Sequence, residues 1–166
     1  LLKEFEINTT KIMRVKEYNS KSKNGDTCGY RIQINSECEN LIKFFERVSY
    51  EYNNEKFKQA SLAANYLLLK NKIIEKRKET RRTARELYRK GSHVNEIYSL
   101  LVDKYTPIQF IKHSLWSKNR EAPRIAFNFM SFGEYCQKYA LGDEGLAWSE
   151  IEEIKKIPYS GFVYDI

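Results

Sequence analysis

The stretch KFKQASLAANYLLLKNKIIEKRKE, residues 56–79, limits what this chain can fold into more than any other. Leu62, Tyr66, Leu69 and Ile73 recur at intervals of three or four residues and so share one face of an α-helix. An apolar stripe of that kind has to be covered by neighbouring elements, which predicts a packed fold built around this helix. Its longest apolar run, Leu67 to Leu69, is far too short to span a bilayer. With 166 residues, 42% of them hydrophobic and 14% aromatic, the chain can supply one good core or two small ones. No membrane partner is expected, and no signal peptide opens the chain, so a cytoplasmic location is expected.

The helix runs into a strongly basic segment. Residues 70–90, KNKIIEKRKETRRTARELYRK, hold 10 basic and 3 acidic side chains. Residues 1–120 carry 25 Lys/Arg against 14 Asp/Glu, an excess of +11, whereas 121–166 carry 4 against 8, giving −4; together these make the net +7. The first part is therefore expected to face a polyanion, with phosphate contact favoured over a merely solvated helix face.

Ahead of the long helix, KIMRVKEY (11–18) and YRIQI (30–34) alternate as strands of a hairpin whose connection contains the turn signal Asn24-Gly25. The alternation predicts Met13, Val15, Tyr30, Ile32 and Ile34 on one face and Arg14, Lys16, Arg31 and Gln33 on a polar, basic one. That second face is either a reading surface or ordinary solvent-facing sheet. Residues 1–7 look like the end of a helix, and SECENLIKFFERVSY predicts an amphipathic helix with Ser36 as its N-cap.

Residues 80–117 read as three short helices. TARELYRKG ends at a glycine corner, SHVNEIYSLLVDKY starts at the N-cap candidate Ser92, and TPIQFIKHSLW combines Thr106 at N-cap, Pro107 at N1 and Gln109 at N3. The arrangement is similar to a helix-turn-helix, in which Gln109, Lys112, His113 and Trp116 would be exposed while Ile108, Ile111 and Leu115 pack inward. The alternative is a three-helix packing unit without a ligand. Beyond it, NREAPR reads as a linker, SFGEYCQKYAL as a helix capped by Ser131, GDEG as a turn, and LAWSEIEEIKKI and GFVYDI as strands. Cys28, Cys38 and Cys136 form no metal-ligand pattern and are expected as reduced thiols; His93 and His113 lie in different helices without acidic or Cys partners in register, so no metal site is expected.

Two stretches carry a family resemblance. YRIQINSECENLIKFFERVSYEYNNEKFKQASLAANYL resembles the second half of a LAGLIDADG homing endonuclease repeat, and AWSEIEEIKKIPYSGFVYDI looks like the segment that returns to the splicing domain of an archaeal-type intein. The resemblance implies an α+β chain: half of an αββαα-type LAGLIDADG repeat over 1–79, a helix-turn-helix module over 80–120, and a short mixed α/β linker and return segment over 121–166. It implies a piece of a larger intein that recognises duplex DNA for site-specific double-strand cleavage and homing, as a hydrolase that uses Mg2+ when intact. The piece itself would bind no metal and would be inactive alone, because the acidic motif is absent. Its partners would be double-stranded DNA, the rest of the intein and the host protein. Lys56 would match the family's lysine near the scissile phosphate, and Arg14, Lys16, Lys21, Lys23, Arg31, Gln33, Lys58, Arg81, Arg82, Gln109, Lys112 and His113 would contact DNA. A stand-alone helix-turn-helix regulator without nuclease activity is the alternative.

Overall fold

In the computed structural model, one helix of 36 residues, α2 (Asn54–Arg89), organises the other elements. The structure describes residues 2–18, 26–117, 122–142, 144–149, 151 and 153–162. At the standard rise α2 is about 54 Å long. Asn53 caps it, its side chain accepting the Lys56 backbone N–H at 3.0 Å. Gly91, at φ +89°, ends it in the left-handed region, with its N–H and that of Ser92 returning to the carbonyls of Tyr88 and Leu87. The boundary expected at 79/80 thus falls inside a continuous helix. No Gly or Pro interrupts 54–89, so the basic segment simply extends the apolar one.

A single 3₁₀ turn (Leu2–Phe5) precedes the antiparallel hairpin of β1 (Thr9–Tyr18) and β2 (Asp26–Ile34). Helix α1 (Cys38–Arg47) follows and packs on α2. Glu37 occupies its N-cap position, not Ser36, and makes no side-chain cap bond. Asn40, in the first turn of α1 and 4% exposed, ties down both feet of the hairpin. Its Oδ1 accepts the Asn8 N–H at 2.6 Å, and its Nδ2 donates to the carbonyls of Asn8 and Asn35 at 3.1 and 2.8 Å.

The hairpin register corrects the expected faces. Met13 pairs with Arg31 and Lys11 with Gln33, while Ile12 pairs with Ile32, Arg14 with Tyr30 and Lys16 with Cys28. Cross-strand partners share a face, so Arg14 and Lys16 stand beside Tyr30 and Ile32, and Met13 and Val15 beside Arg31 and Gln33. No purely basic face forms. A one-residue change in register exchanges the faces, and a connection as long as the one between these strands leaves register undetermined by the turn.

The C-terminal half of α2 packs with α3 (Val94–Leu101) and α4 (Ile108–Trp116) around Ala84, Ile97 and Ile111, which Leu87, Tyr98, Leu101, Phe110 and Leu115 surround. The α3 cap is His93, one residue beyond Ser92. Its Nδ1 accepts the Asn95 N–H at 3.3 Å, and Glu96 accepts the His93 N–H at 3.1 Å. Pro107 takes the α4 cap position, and Thr106, fully buried, closes the connection by donating to the Leu101 carbonyl at 2.9 Å. Ile108, expected inside, is 47% exposed.

Near the middle of α2, Tyr66 meets the rings of Phe129, Phe132 and Tyr135, each centroid 5.5 Å away, and donates its hydroxyl to the Met130 carbonyl. This holds α5 (Phe132–Tyr139), capped by Ser131 as the sequence predicts. The short antiparallel pair β3 (Ala140–Leu141) and β4 (Leu146–Ala147) follows. The strand expected over LAWSEIEEIKKI is reduced to Leu146–Ala147, and the GFVYDI strand and the Asn24-Gly25 turn lie largely or wholly outside the described residues.

Asn40→Ala strands the Asn8 N–H and two carbonyls in a half-buried corner. We expect a loss of about 1–3 kcal/mol, read as a lower urea midpoint with the slope unchanged.

Candidate functional site

Basic residues at i, i+4 and i+8 on α2 fall on one side of the helix. Here Arg77, Arg81 and Arg85 form such a row, and it faces α4. The Arg77 guanidinium lies 4.0 Å from the centre of the Phe110 ring and that of Arg81 5.9 Å from it. Arg77 also donates to the Tyr105 carbonyl. Arg85 donates from Nε to the Ser114 carbonyl at 2.8 Å and from Nη2 to the Ser117 carbonyl at 3.1 Å, so its charge sits at the C-terminal end of α4 where the helix dipole is negative. Burial, and then the neighbouring arginine, lower the pKa of both Arg77 and Arg81. These side chains hold α4 in place, and Arg81, expected as a polymer contact, is half-buried in that contact.

What the row positions is the outer face of α4. Gln109, Lys112, His113 and Trp116 line one shallow depression with Ser117. Trp116 is 54% exposed and meets Tyr88, the exposed aromatic of the last α2 turn, edge to face at 5.1 Å. The site therefore presents a cation, an imidazole, an amide and two aromatic rings to solvent. Ser114, 1% exposed, explains how α4 sits so close: its hydroxyl returns to the Phe110 carbonyl at 2.7 Å and leaves nothing to fill the interface.

The other sequence-predicted residues lie elsewhere. Arg82 is exposed and paired with Glu79 at 2.8 Å and Glu86 at 3.9 Å. Lys56 stands in the first turn of α2, its ammonium 5.7 Å from the Tyr50 ring. Lys58 lies under the β3–β4 turn, whose Gly145 approaches its backbone so closely that a Cβ there would sit 2.8 Å from the Lys58 Cα. Arg14, Lys16, Arg31 and Gln33 are all exposed on the hairpin, with Arg14 Nη2 3.2 Å from Cys28 Sγ. Lys21 and Lys23 lie outside the described residues. The structure thus brings Gln109, Lys112 and His113 together and leaves the hairpin and α2 N-terminal residues apart from them. Sequence reading missed Tyr88 and the structural use of Arg77, Arg81 and Arg85; their four-residue spacing was the available signal. Among the described residues, no group of three or more His, Cys, Asp or Glu is placed to hold a metal ion. No described helix is long and apolar enough to cross a membrane.

No family model and no solved structure matches this chain. Curated proteins do. The chain is similar along its whole length to tRNA-splicing ligase RtcB. The protein of that name from Methanocaldococcus jannaschii is 31% identical over 169 residues, that from Methanopyrus kandleri 29% over 167, and that from Pyrococcus furiosus 25% over 167. Each match takes in 100% of this chain and 16% of the relative, so the chain spans about one sixth of the length of these proteins. The finding corrects the LAGLIDADG and intein reading. These relatives are named for RNA ligation and tRNA splicing, not as homing endonucleases or inteins, and neither the double-strand DNA cleavage nor the helix-turn-helix DNA regulator keeps its footing. With that reading go the grounds for Lys56 as a nuclease lysine, for Mg2+ in an intact endonuclease, and for duplex DNA and an intein host as partners.

The corner that carries α4 has a built-in acid sensitivity. Burial pushes the Asp103 carboxyl up, but the hydrogen bond from Lys76, the Tyr105 N–H, the Lys76 charge and the Thr106 backbone together hold its pKa below the ordinary 3.8. A depressed folded-state value means this carboxylate contributes stability above the unfolded pKa and loses it as pH falls through the folded one. We expect Asp103→Asn to lower the melting temperature at neutral pH and the gap from the parent to close below about pH 4, measured by thermal unfolding across pH.

Proposed function

We propose that this chain is an RNA-contacting segment of a longer polypeptide of the tRNA-splicing ligase RtcB kind. The observation that carries the reading is the outer face of α4, where exposed Trp116 and Tyr88 adjoin Lys112, His113 and Gln109. Unpaired bases stack on exposed aromatic rings, cations take the phosphates, and an amide can address a base edge. The similarity to the RtcB proteins supports RNA as the polymer, and the excess of +11 over residues 1–120 supports a polyanion. The unit of α2, α3 and α4 is read as a helix-turn-helix-like presentation of α4, built here on a helix that also forms the rest of the body. The reading assigns this segment a grip on the polymer, not the bond-forming step.

The test is anisotropy of a labelled single-stranded RNA at several salt concentrations. Trp116→Ala should weaken binding by about 1–3 kcal/mol, roughly 5- to 150-fold, with Trp116→Phe recovering most of it. Lys112→Ala should reduce the slope of log affinity against log salt by about 0.7. Unchanged affinity in Trp116→Ala, or a stronger grip on duplex DNA of equal length, would overturn the assignment.

A further inference from the structure

A cavity of about 330 Å³ lies against the middle of α2, between that helix, α5 and β4. Counted from Lys72 to Tyr88 it is roughly 24 Å along α2 from the α4 face. Tyr135, 5% exposed, lines it together with Tyr139, whose ring lies 5.1 Å away at 35°. Trp148, 65% exposed, also lines it. The backbone N–H of Trp148 donates to the Tyr139 carbonyl at 2.8 Å, and Gly145 seats the preceding turn on the Lys58 backbone, so the backbone that carries the solvent-open indole is anchored. The polar lining is Asn65, Lys72 and Ser149. Asn65 donates from Nδ2 to the Ser61 carbonyl at 3.0 Å, which leaves its carboxamide oxygen to accept.

We propose that this cavity binds a single nucleotide whose base carries an exocyclic amine, with the base between Trp148 and the two tyrosines and the phosphate toward Lys72. Flat aromatic walls suit a planar ring, the amide oxygen suits an amine on its edge, and an ammonium at the mouth suits a phosphate. An aliphatic ligand would not use the free carboxamide oxygen of Asn65. The nucleotide can be free or one residue of an RNA strand; both present the same chemistry. The inference does not rest on the α4 reading, because a different part of α2 builds each site.

The chain has two tryptophans, so Trp116→Phe leaves Trp148 as its only indole reporter. In that background AMP should quench Trp148 emission saturably, whereas ribose 5-phosphate and inorganic phosphate should not. Lys72→Ala should weaken AMP about tenfold and leave adenosine nearly unchanged, as loss of one charge-assisted contact implies. Asn65→Ala should narrow the preference for AMP over UMP. Tighter binding of an adenine oligoribonucleotide than of AMP would identify the strand as the source, and equal or weaker binding the free nucleotide. No saturable quenching by millimolar AMP, in a chain whose circular dichroism matches the parent, would overturn the site. So would equal quenching by ribose 5-phosphate. Loss of RNA binding on changing Trp116, with Trp148 still responding to AMP, would separate failure of one site from failure of the other.

Discussion

Close approach of neighbouring elements to α2, on one face of its first half and on the opposite face of its second, is the constraint from which the rest of this structure follows. The residues that α2 buries most are small or slender: Ala60, Ala64, Ile73, Thr80 and Ala84. A helix that buries alanines lets its neighbours come near, and dispersion contacts between closely packed backbones replace the large side chains of a conventional core. Helix α1 and the β3–β4 turn use the first half of α2, and α3 and α4 the second. The two halves meet at Phe129, whose ring lies 5.5 Å from Tyr66 and 6.2 Å from Tyr105, and one uninterrupted helix joins them.

Charge in this chain is spent on architecture as much as on display. The basic excess of 70–90 looks like a single electropositive surface in the sequence, but tertiary packing divides it. Arg77 and Arg81 lie over Phe110, a contact worth about 0.5–2 kcal/mol depending on desolvation, and Arg85 holds the C-terminal carbonyls of α4. Lys76 pairs with Asp103, Lys78 with Glu75, and Arg82 with two glutamates. The cation and rings of the α4 face stand out because the arginines behind them are committed to holding that helix.

The hairpin shows a different economy. Ile12, Tyr30 and Ile32 are 63%, 71% and 49% exposed, and a two-stranded ribbon has little stability of its own. Its base is secured by the buried amide of Asn40 and by the ion pairs of Glu6 with Lys43 and Arg47, which hold the Glu6 carboxyl below its usual range. An asparagine in an otherwise apolar helix face reads as a defect in a periodicity pattern. Here it is the residue that joins strand pair to helix.

Much of the local structure was legible in the residues themselves. The stripe of Leu62, Tyr66, Leu69 and Ile73 marks a helix, Ser131 marks the start of α5, and Gly91 marks the corner after α2, because caps, glycine turns and apolar spacing act over a few residues. The exposed set Gln109, Lys112, His113 and Trp116 was legible for the same reason, since helical periodicity assigns faces once Ile111 and Leu115 are taken as inward. What sequence alone could not decide was set by partners far along the chain. The hairpin register, and with it which side chains accompany Arg14 and Arg31, depends on strand pairing that the long connection does not dictate. Whether Arg81 meets solvent or Phe110 and whether Thr106 caps a helix or closes a turn depend on how α3 and α4 fold back on α2. Short-range interactions determined the elements; burial, which counts neighbours from the whole chain, decided the surface each one presents.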